Sequence, residues 1–171
     1  EMDGMVAPDN NSDALESTET IDDASAEADL EETAGGERIC FDDLGLPPEL
    51  LAAVRDLGFT HPSPIQKRAI PALLEGRSVL GVAQTGTGKT AAFGLPLLAE
   101  VRPSDRSTQG LVLAPTRELA MQVAEAIQSF AAKLDGVNVV SVYGGAPYGP
   151  QERALARGAH VIVGTPGRVI D

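Results

Sequence analysis

Apolar positions from residue 40 onward follow two spacings, one typical of strands and one typical of helices. Four short β-rich runs lie at 79–82, 111–114, 137–142 and 160–163. Helical patterns occupy five further segments, namely 47–57, 63–76, 90–100, 117–134 and 151–157, and in 47–57 and 117–134 the apolar residues share one helix face. Strands that alternate with helices predict an α/β fold, in which a parallel sheet carries helices on both faces.

Local signals refine two of these elements. Ser63 is placed to cap the second helix, with Pro64 in its first turn, and we expect Pro71 to kink or restart that helix. The third β-rich run contains Asn138 and Ser141, and this polarity predicts a position near the edge of the sheet.

The turns that follow the four strands share a composition rich in Gly, Thr or Pro. Their sequences are AQTGTGKT (83–90), APTREL (114–119), YGGAP (143–147) and GTPGR (164–168). In an open parallel sheet these turns lie at the carboxyl edge, where ligands bind, and amides at helix starts favour anions. The pattern therefore predicts a surface built for phosphates.

The first turn fits the phosphate-binding loop G-x-x-x-x-G-K-[ST], except that Ala83 replaces the first Gly. Its glycines let the backbone approach phosphates, Lys89 reaches the β- and γ-phosphates, and the Thr90 hydroxyl binds Mg²⁺. Lys89 and Thr90 are therefore the predicted catalytic residues, and Thr90 is the predicted metal ligand. We assign nucleotide binding to the whole loop: Ala83, Gln84, Thr85, Gly86, Thr87, Gly88, Lys89 and Thr90.

Charge divides the chain into two parts. The formal net charge is −12, and residues 1–39 contain 13 acidic residues against one basic residue, Arg38. Residues 40–171 hold 12 acidic and 12 basic residues. A segment this charged and this poor in apolar residues predicts a disordered acidic tail over 1–39. It serves either as a solvated spacer or as an arm that competes with nucleic acid for cationic sites.

The remaining composition bears on the compartment and on metal binding. Cys40 is the one cysteine, so no intramolecular disulfide forms, which fits a reducing cytoplasm. No apolar run approaches the roughly 20 residues of a membrane span, and no cationic-then-apolar leader is present, so we expect no membrane association. His61 and His160 match no metal or catalytic pattern.

Phe41, followed 17 residues later by GFTHPSPIQ (58–66), resembles the Q-motif of DEAD-box ATP-dependent RNA helicases. In that family the glutamine amide reads adenine, which selects ATP, and the upstream aromatic stacks on the base. The resemblance assigns these roles to Gln66 and Phe41, and an amide is a natural bidentate partner for adenine. Phe41 is equally well explained as a core residue.

The later turns resemble three further motifs of the family, in the same order. In the family these motifs contact the RNA sugar-phosphate backbone, and Thr116 and Thr165 are placed to cap helices while Arg117 and Arg168 offer charge-assisted bonds. The resemblance assigns RNA binding to Pro115, Thr116, Arg117, Gly144, Gly145, Thr165, Pro166, Gly167 and Arg168.

The resemblance covers residues 41–171 and implies a partial first RecA-like helicase domain over 40–171, of bacterial type, with its Q-motif region at 41–66 and truncated at its C-terminal side. The family's Asp-Glu-Ala-Asp motif, expected after the last turn, does not occur in the 171 residues. The resemblance then implies a parent helicase that locally unwinds or remodels RNA duplexes with ATP and Mg²⁺. Alternatively, the fragment only binds nucleotide or RNA without hydrolysis, or it belongs to a DNA-directed relative. The oligomeric state, the RNA target and the role of the tail stay open.

Overall fold

A computed structural model describes residues 18–22 and 39–171 of the chain. Five strands are present in this part: β1 (Thr18–Asp22), β2 (Ser78–Val82), β3 (Gly110–Leu113), β4 (Val139–Val142) and β5 (Val161–Gly164). Six helices accompany them: α1 (Pro48–Asp56), α2 (Pro64–Leu74), α3 (Lys89–Ala99), α4 (Arg117–Phe130), α5 (Tyr148–Ala156) and α6 (Pro166–Ile170). Short 3₁₀ turns cover Phe41–Leu44 and Ala131–Lys133.

All strand pairs are parallel, as the alternation of strands and helices predicted. One sheet has the order β3-β5-β4, and β2 pairs with β1 in a separate two-stranded sheet. β4 therefore lies at an edge, in agreement with the polarity of its sequence. Successive side chains of β4 point to opposite faces of the sheet. Val139 packs in the main core, whereas Val140 and Val142 pack with Ala154 of α5.

The main core forms where the apolar stripes of the helices meet the central strand β5. Ala120, Ile127 and Phe130 come from one side of α4, and they are buried together with Val161 and Val163 of β5. A stripe at this spacing is the reason that residues 117–130 form a helix on the sheet. This packing holds β5, and with it the turn that follows at Thr165, in the middle of the sheet.

β1 is the element that the pattern of the sequence did not predict. Thr18–Asp22 lies within the segment predicted to be disordered, yet it pairs in parallel with β2, with Thr18 opposite Ser78. Ile21 is 1 % exposed and packs with Ile65, Ala69 and Ala92. One apolar side chain is a weak signal of a strand in an acidic sequence. The pairing of β1 depends on the apolar cluster against which Ile21 packs. The rest of the predicted tail up to residue 38 lies outside the described residues.

Helix α2 differs from one of the two outcomes expected at Pro71, the restart. It continues through the proline to Leu74 without a restart, and the Glu75 N–H donates to the Pro71 carbonyl at 3.0 Å. Because proline has no N–H, only the carbonyl four residues earlier, that of Lys67, loses its helical hydrogen-bond donor. Lys67 is half-buried and lies near solvent. The buried face of Ile70 and Ala72 holds the helix together across this point.

Two other helices differ in their bounds. α5 begins at Tyr148, three residues earlier than predicted, directly after the extended Pro147. α4 ends at Phe130 and passes into a 3₁₀ turn, whereas the pattern extended the helix to Leu134. None of the helices in the described part of the chain is long and apolar enough to cross a membrane.

Candidate functional site

The loop between β2 and α3 has the backbone of a phosphate-binding turn. Gly86 and Gly88 adopt φ values of 83° and 84°, a left-handed conformation that favours glycine. The Thr87 hydroxyl donates to the Gln84 carbonyl at 2.8 Å, which closes the turn. Lys89 opens α3 and folds back to donate its ammonium to the Ala83 carbonyl. The loop and the lysine thus enclose one small space at the start of a helix.

Gln66 ties this loop to the start of α2. Its side chain is 2 % exposed, and the Ser63 N–H donates to its Oε1 at 2.9 Å. Its Nε2 donates to the Gly88 carbonyl at 3.0 Å. A Cβ on Gly88 would lie 2.2 Å from that Nε2, so the contact requires glycine there. The two regions that the sequence assigned to nucleotide binding are therefore in direct contact.

The residues present fit a phosphate group. The amides at the start of α3 are oriented for an anion, and the Lys89 ammonium supplies charge beside them. A cavity of about 410 Å³ adjoins the loop and is lined by Lys89 and Thr90 together with apolar side chains of β2 and β3. Within residues 18–22 and 39–171, no three His, Cys, Asp or Glu side chains form a metal site. Mg²⁺ bound here would take the Thr90 hydroxyl together with phosphate and water oxygens.

Phe41 lies in the main core. Its ring is 4 % exposed and meets Phe59 edge to face, with the ring centroids 6.1 Å apart. This packing matches the core interpretation of Phe41 and leaves little of the ring for a base to stack on. Its assignment to nucleotide binding stays a prediction.

The three predicted RNA-binding turns meet at one edge of the three-stranded sheet. The Ala114 N–H donates to the Gly164 carbonyl at 2.9 Å, which joins the end of β3 to the end of β5. The Thr165 N–H donates to the Val142 carbonyl at 3.0 Å, which joins the end of β5 to that of β4. The parallel register thus brings together three motifs that lie far apart along the chain.

The residues of these turns differ in exposure and in capping. Thr116 accepts a hydrogen bond from the Leu119 N–H at 3.3 Å and caps α4 as predicted. Thr165 occupies the corresponding position before α6, but its side chain makes no capping bond. Thr165 is half-buried and the Arg168 side chain is mostly buried, whereas the other predicted contacts are exposed, namely Pro115, Thr116, Arg117, Gly144, Gly145, Pro166 and Gly167.

Two tyrosines beside the glycine pair were missed by the sequence analysis. The guanidinium carbon of Arg117 lies 5.7 Å from the ring centroid of Tyr143, and that of Arg168 lies 4.0 Å from the ring centroid of Tyr148. Gly145 has a φ of 79° and lies beside Arg117. A Cβ added to Gly145 would lie 3.5 Å from the Nη1 atom of Arg117. An aromatic on each side of a Gly pair was the signal available in the sequence, and it is a weak one.

Gln151 and Gly164 also support the edge. The Gln151 amide accepts from the Tyr143 N–H at 3.1 Å and donates to the Tyr143 carbonyl at 3.2 Å, which fixes the end of β4. A Cβ on Gly164 would lie 2.8 Å from the Val142 carbonyl oxygen. Glycine therefore permits the close approach of β5 to β4 below the Thr165 turn.

His160 has a structural role. It is buried, and its Nδ1 accepts from the Asn138 N–H at 3.0 Å. Its Nε2 lies 3.2 Å from the Pro103 carbonyl, where it is the donor in the tautomer that satisfies both contacts. The ring thus joins the start of β5 to the segments before β3 and β4.

Known proteins with similar sequences include ATP-dependent RNA helicases. The family model described as DEAD/DEAH box helicase matches residues 63–171. The ATP-dependent RNA helicase DeaD of Haemophilus influenzae is 58 % identical over 135 residues, which are 79 % of this chain and 22 % of the relative. DeaD of Escherichia coli K12 is 59 % identical over 131 residues, which are 77 % of this chain and 21 % of the relative. The chain thus spans about a fifth of the length of these curated relatives.

Solved structures with the same fold also come from this family. A DEAD box protein from Methanococcus jannaschii matches with a TM-score of 0.72 and 39 % identity, over 77 % of this chain and 36 % of that one. Saccharomyces cerevisiae Dbp5 bound to RNA and ADP BeF3 matches with a TM-score of 0.68 and 41 % identity, over 77 % and 33 % of the two chains. These matches confirm the RecA-like α/β fold expected from the sequence. With its phosphate loop, its Gln66 contact and its matched sequence, the chain belongs to the DEAD/DEAH box helicase family.

Proposed function

We propose that this chain is the ATP- and RNA-binding part of an ATP-dependent RNA helicase that locally unwinds or remodels RNA duplexes. The observation that carries the proposal is the hydrogen bond between Gln66 and the Gly88 carbonyl. It links the amide proposed to read the base with the loop proposed to bind the phosphates. The curated relatives named ATP-dependent RNA helicase support the same assignment.

In this proposal the nucleotide phosphates bind over the amides of the loop at 83–90. The Lys89 ammonium leaves the Ala83 carbonyl and contacts phosphate oxygens, which bind a cation more strongly than a neutral carbonyl does. Gln66 exchanges its present contacts with Ser63 and Gly88 for the adenine edge. Mg²⁺ supplies charge stabilisation for the transferred phosphoryl group when it is bound, and Thr90 holds it.

RNA binds along the edge formed by the three turns. Arg117 and Arg168 contact phosphate oxygens, and the exposed Gly144 and Gly145 let the sugar-phosphate backbone approach closely. Contacts of this kind carry little sequence information, so we propose that RNA is bound with little sequence specificity. The structure of Dbp5 bound to RNA and ADP BeF3 supports RNA as the class of partner.

A second function is a nucleotide- and RNA-binding module that hydrolyses nothing by itself. The observation that favours it is the sequence of the 171 residues, which contains no Asp-Glu-Ala-Asp. Phosphoryl transfer depends on charges placed around the reacting group, and carboxylates that hold the metal are part of that arrangement. We therefore expect the polypeptide 1–171 to bind ATP without turnover.

Binding of a fluorescent ATP analogue to the polypeptide 1–171 tests the proposal. Lys89→Ala should weaken binding at least about tenfold, because a charge-assisted bond to phosphate is worth about 1.5–3 kcal/mol. Lys133→Ala is the matched control, since this lysine makes an exposed ion pair with Asp56 and lies outside the loop. Such a pair contributes at most about 1 kcal/mol to folding, so the control should bind the analogue as the parent does.

Equal binding by the parent and Lys89→Ala would contradict the nucleotide site. Phosphate release from ATP, measured in the same samples with and without single-stranded RNA, separates the two functions. Turnover that disappears in Lys89→Ala would contradict the module without hydrolysis.

A further inference from the structure

The chain contains two tyrosines, and both lie against arginines that we propose to bind RNA. Tyr143 and Tyr148 bracket the exposed Gly144–Gly145 turn, one at the end of β4 and the other at the start of α5. A cation over an aromatic face is attracted by the ring quadrupole within about 6 Å, and Arg168 lies well inside that limit. The contact between Tyr148 and Arg168 is the shorter of the two.

Arg168 is held from several sides. Its Nη1 donates to the Ala146 carbonyl at 3.1 Å, and its Nε lies 3.7 Å from Oδ2 of Asp171. The Tyr148 hydroxyl donates to that same Oδ2 at 2.8 Å, so the ring, the carboxylate and the guanidinium form one closed group. Only 11 % of the Arg168 side chain is exposed.

One guanidinium donor of Arg168 is left without a hydrogen bond. Its Nε is buried and has no hydrogen-bond partner among the described residues. An arginine on a free surface loses much rotamer freedom when it binds a phosphate. Arg168 has already lost that freedom through Tyr148 and Ala146, so its planar donors are pre-organised beside the glycine turn.

Tyr148 itself contributes little to the core. It is 51 % exposed, and it is absent from the clusters of buried apolar residues in the described part of the chain. A large, half-exposed aromatic with its hydroxyl directed at Asp171 is better explained by the group it holds than by apolar burial.

We propose that Tyr148 is a positioning residue for RNA binding, which holds the Arg168 guanidinium in place through its ring and through the hydrogen bond of its hydroxyl to Asp171. This inference rests on the proposed function of Arg168 as a phosphate contact. Tyr143 and Arg117 form a second, looser pair of the same kind, at the other end of the turn.

Titration of RNA affinity against salt tests the role. Labelled single-stranded RNA is bound to the parent polypeptide, Tyr148→Leu, Tyr148→Phe, Arg168→Ala and the Tyr148→Leu/Arg168→Ala double variant. Tyr148→Leu should weaken binding roughly 3- to 10-fold, the effect of a lost cation–π contact. It should also make the log–log salt slope shallower by up to about 0.7, the share of one single-strand phosphate. Tyr148→Phe keeps the ring but loses the hydrogen bond to Asp171, so its affinity should fall between those of the parent and Tyr148→Leu.

The double variant separates positioning from direct contact. If Tyr148 acts through Arg168, Tyr148→Leu has no further effect once Arg168 is alanine. Losses that add in the double variant would mean that the ring binds RNA by itself, and they would overturn the inference. Unchanged affinity and slope in Tyr148→Leu, with weaker binding in Arg168→Ala, would overturn it while the proposed RNA edge stands. Unchanged binding in Arg168→Ala would instead remove Arg168 from the proposed function.

A measurement without RNA tests the geometry independently. In a Tyr143→Phe background, near-ultraviolet absorbance follows the ionisation of Tyr148 alone. The hydrogen bond to Asp171 raises the pKa of Tyr148 above its ordinary 10.0, desolvation and the charges of Asp171 and Glu152 raise it further, and Arg168 opposes them. Asp171→Asn should therefore lower this pKa towards the ordinary value. A phenol that titrates at its ordinary value in both proteins would show that the group is not assembled, and would overturn the inference even if Tyr148→Leu fails to fold.

Discussion

At the scale of single residues, Gln66 shows how one amide serves two neighbouring motifs. Its oxygen accepts from the Ser63 backbone and its nitrogen donates to the Gly88 backbone, at 2.9 and 3.0 Å. A buried amide with both ends bonded orders the groups on either side of it. In the proposed function, nucleotide takes over these donors and acceptors and releases Gly88, which would couple base binding to the conformation of the loop through this side chain.

Gln66→Ala should therefore change both selectivity and stability. ATP should bind more weakly by about 1–3 kcal/mol, the value of a lost bidentate contact to adenine. The affinity for GTP should change little. The unfolding free energy should fall by about 1–3 kcal/mol, because the Ser63 N–H and the Gly88 carbonyl lose their buried partner. Competition of ATP and GTP against a fluorescent analogue, with urea unfolding of the same proteins, measures the two effects.

Gln66→Glu is the matched control for this prediction. A carboxylate still accepts from the Ser63 N–H but cannot donate to the Gly88 carbonyl or to an adenine acceptor. An unchanged ratio of ATP to GTP affinity in Gln66→Ala, together with lower stability, would leave Gln66 as a structural link alone.

At the scale of elements, β1 is the least expected part of the fold. An acidic strand pairs with β2, the strand that leads into the phosphate loop, and Glu19 forms an ion pair with Arg77 at 2.6 Å just before β2. Both side chains are partly exposed, so this pair adds little. The buried Ile21 is the main anchor of β1.

Ile21→Asp should therefore release β1 from β2. A carboxylate in the cluster of Ile65, Ala69 and Ala92 has no compensating partner there, and its burial is costly. Hydrogen exchange of the amides of residues 79–82 should become faster, as expected for an edge that loses its neighbour. Thr20→Asp is the control, because Thr20 is exposed on the same strand. Equal exchange in the parent and in Ile21→Asp would argue against the pairing in solution.

At the scale of the whole molecule, the acidic excess and the proposed RNA-binding residues lie in different parts of the sequence. The acidic excess lies in residues 1–39, whereas residues 40–171 are balanced. RNA at the proposed edge is then held by few cations, chiefly Arg117 and Arg168, and by amides at helix starts. Few ion pairs imply a shallow salt dependence, about −0.7 in log–log slope for each single-strand phosphate neutralised.

Removal of residues 1–17 should strengthen RNA binding modestly at low salt, and the gain should fade near physiological salt. The deleted segment is acidic, it lies before β1, and screening over about 8–10 Å limits its reach. Anisotropy of labelled single-stranded RNA at two salt concentrations measures the effect. Removal of residues 1–38 also deletes β1 and most of the acidic residues, so an effect seen only in that variant would come from residues 18–38. Identical affinities of all three proteins at low salt would identify the tail as a spacer.

Much of the fold and of the nucleotide loop could be predicted from the sequence, because their signals are local. The glycines and Lys89 at 83–90 specify a tight turn at a helix start, and the stripe of residues 117–130 specifies a helix on a sheet. The carboxyl edge followed from the rule that parallel strands end on the same side. The motifs at 114–119, 143–147 and 164–168 indeed meet there.

Contacts between distant side chains were decided only by the tertiary structure. Tyr148 reaches Arg168 and Asp171 because β4 and β5 are neighbours, and no spacing along the chain encodes that order. Ile21 turns an acidic segment into a strand only because a complementary apolar cluster exists elsewhere in the fold. Phe41, for which the sequence allowed two positions, lies in the core beside Phe59. Local pattern determined the elements and the loop, whereas packing between elements determined how the side chains of the site are held.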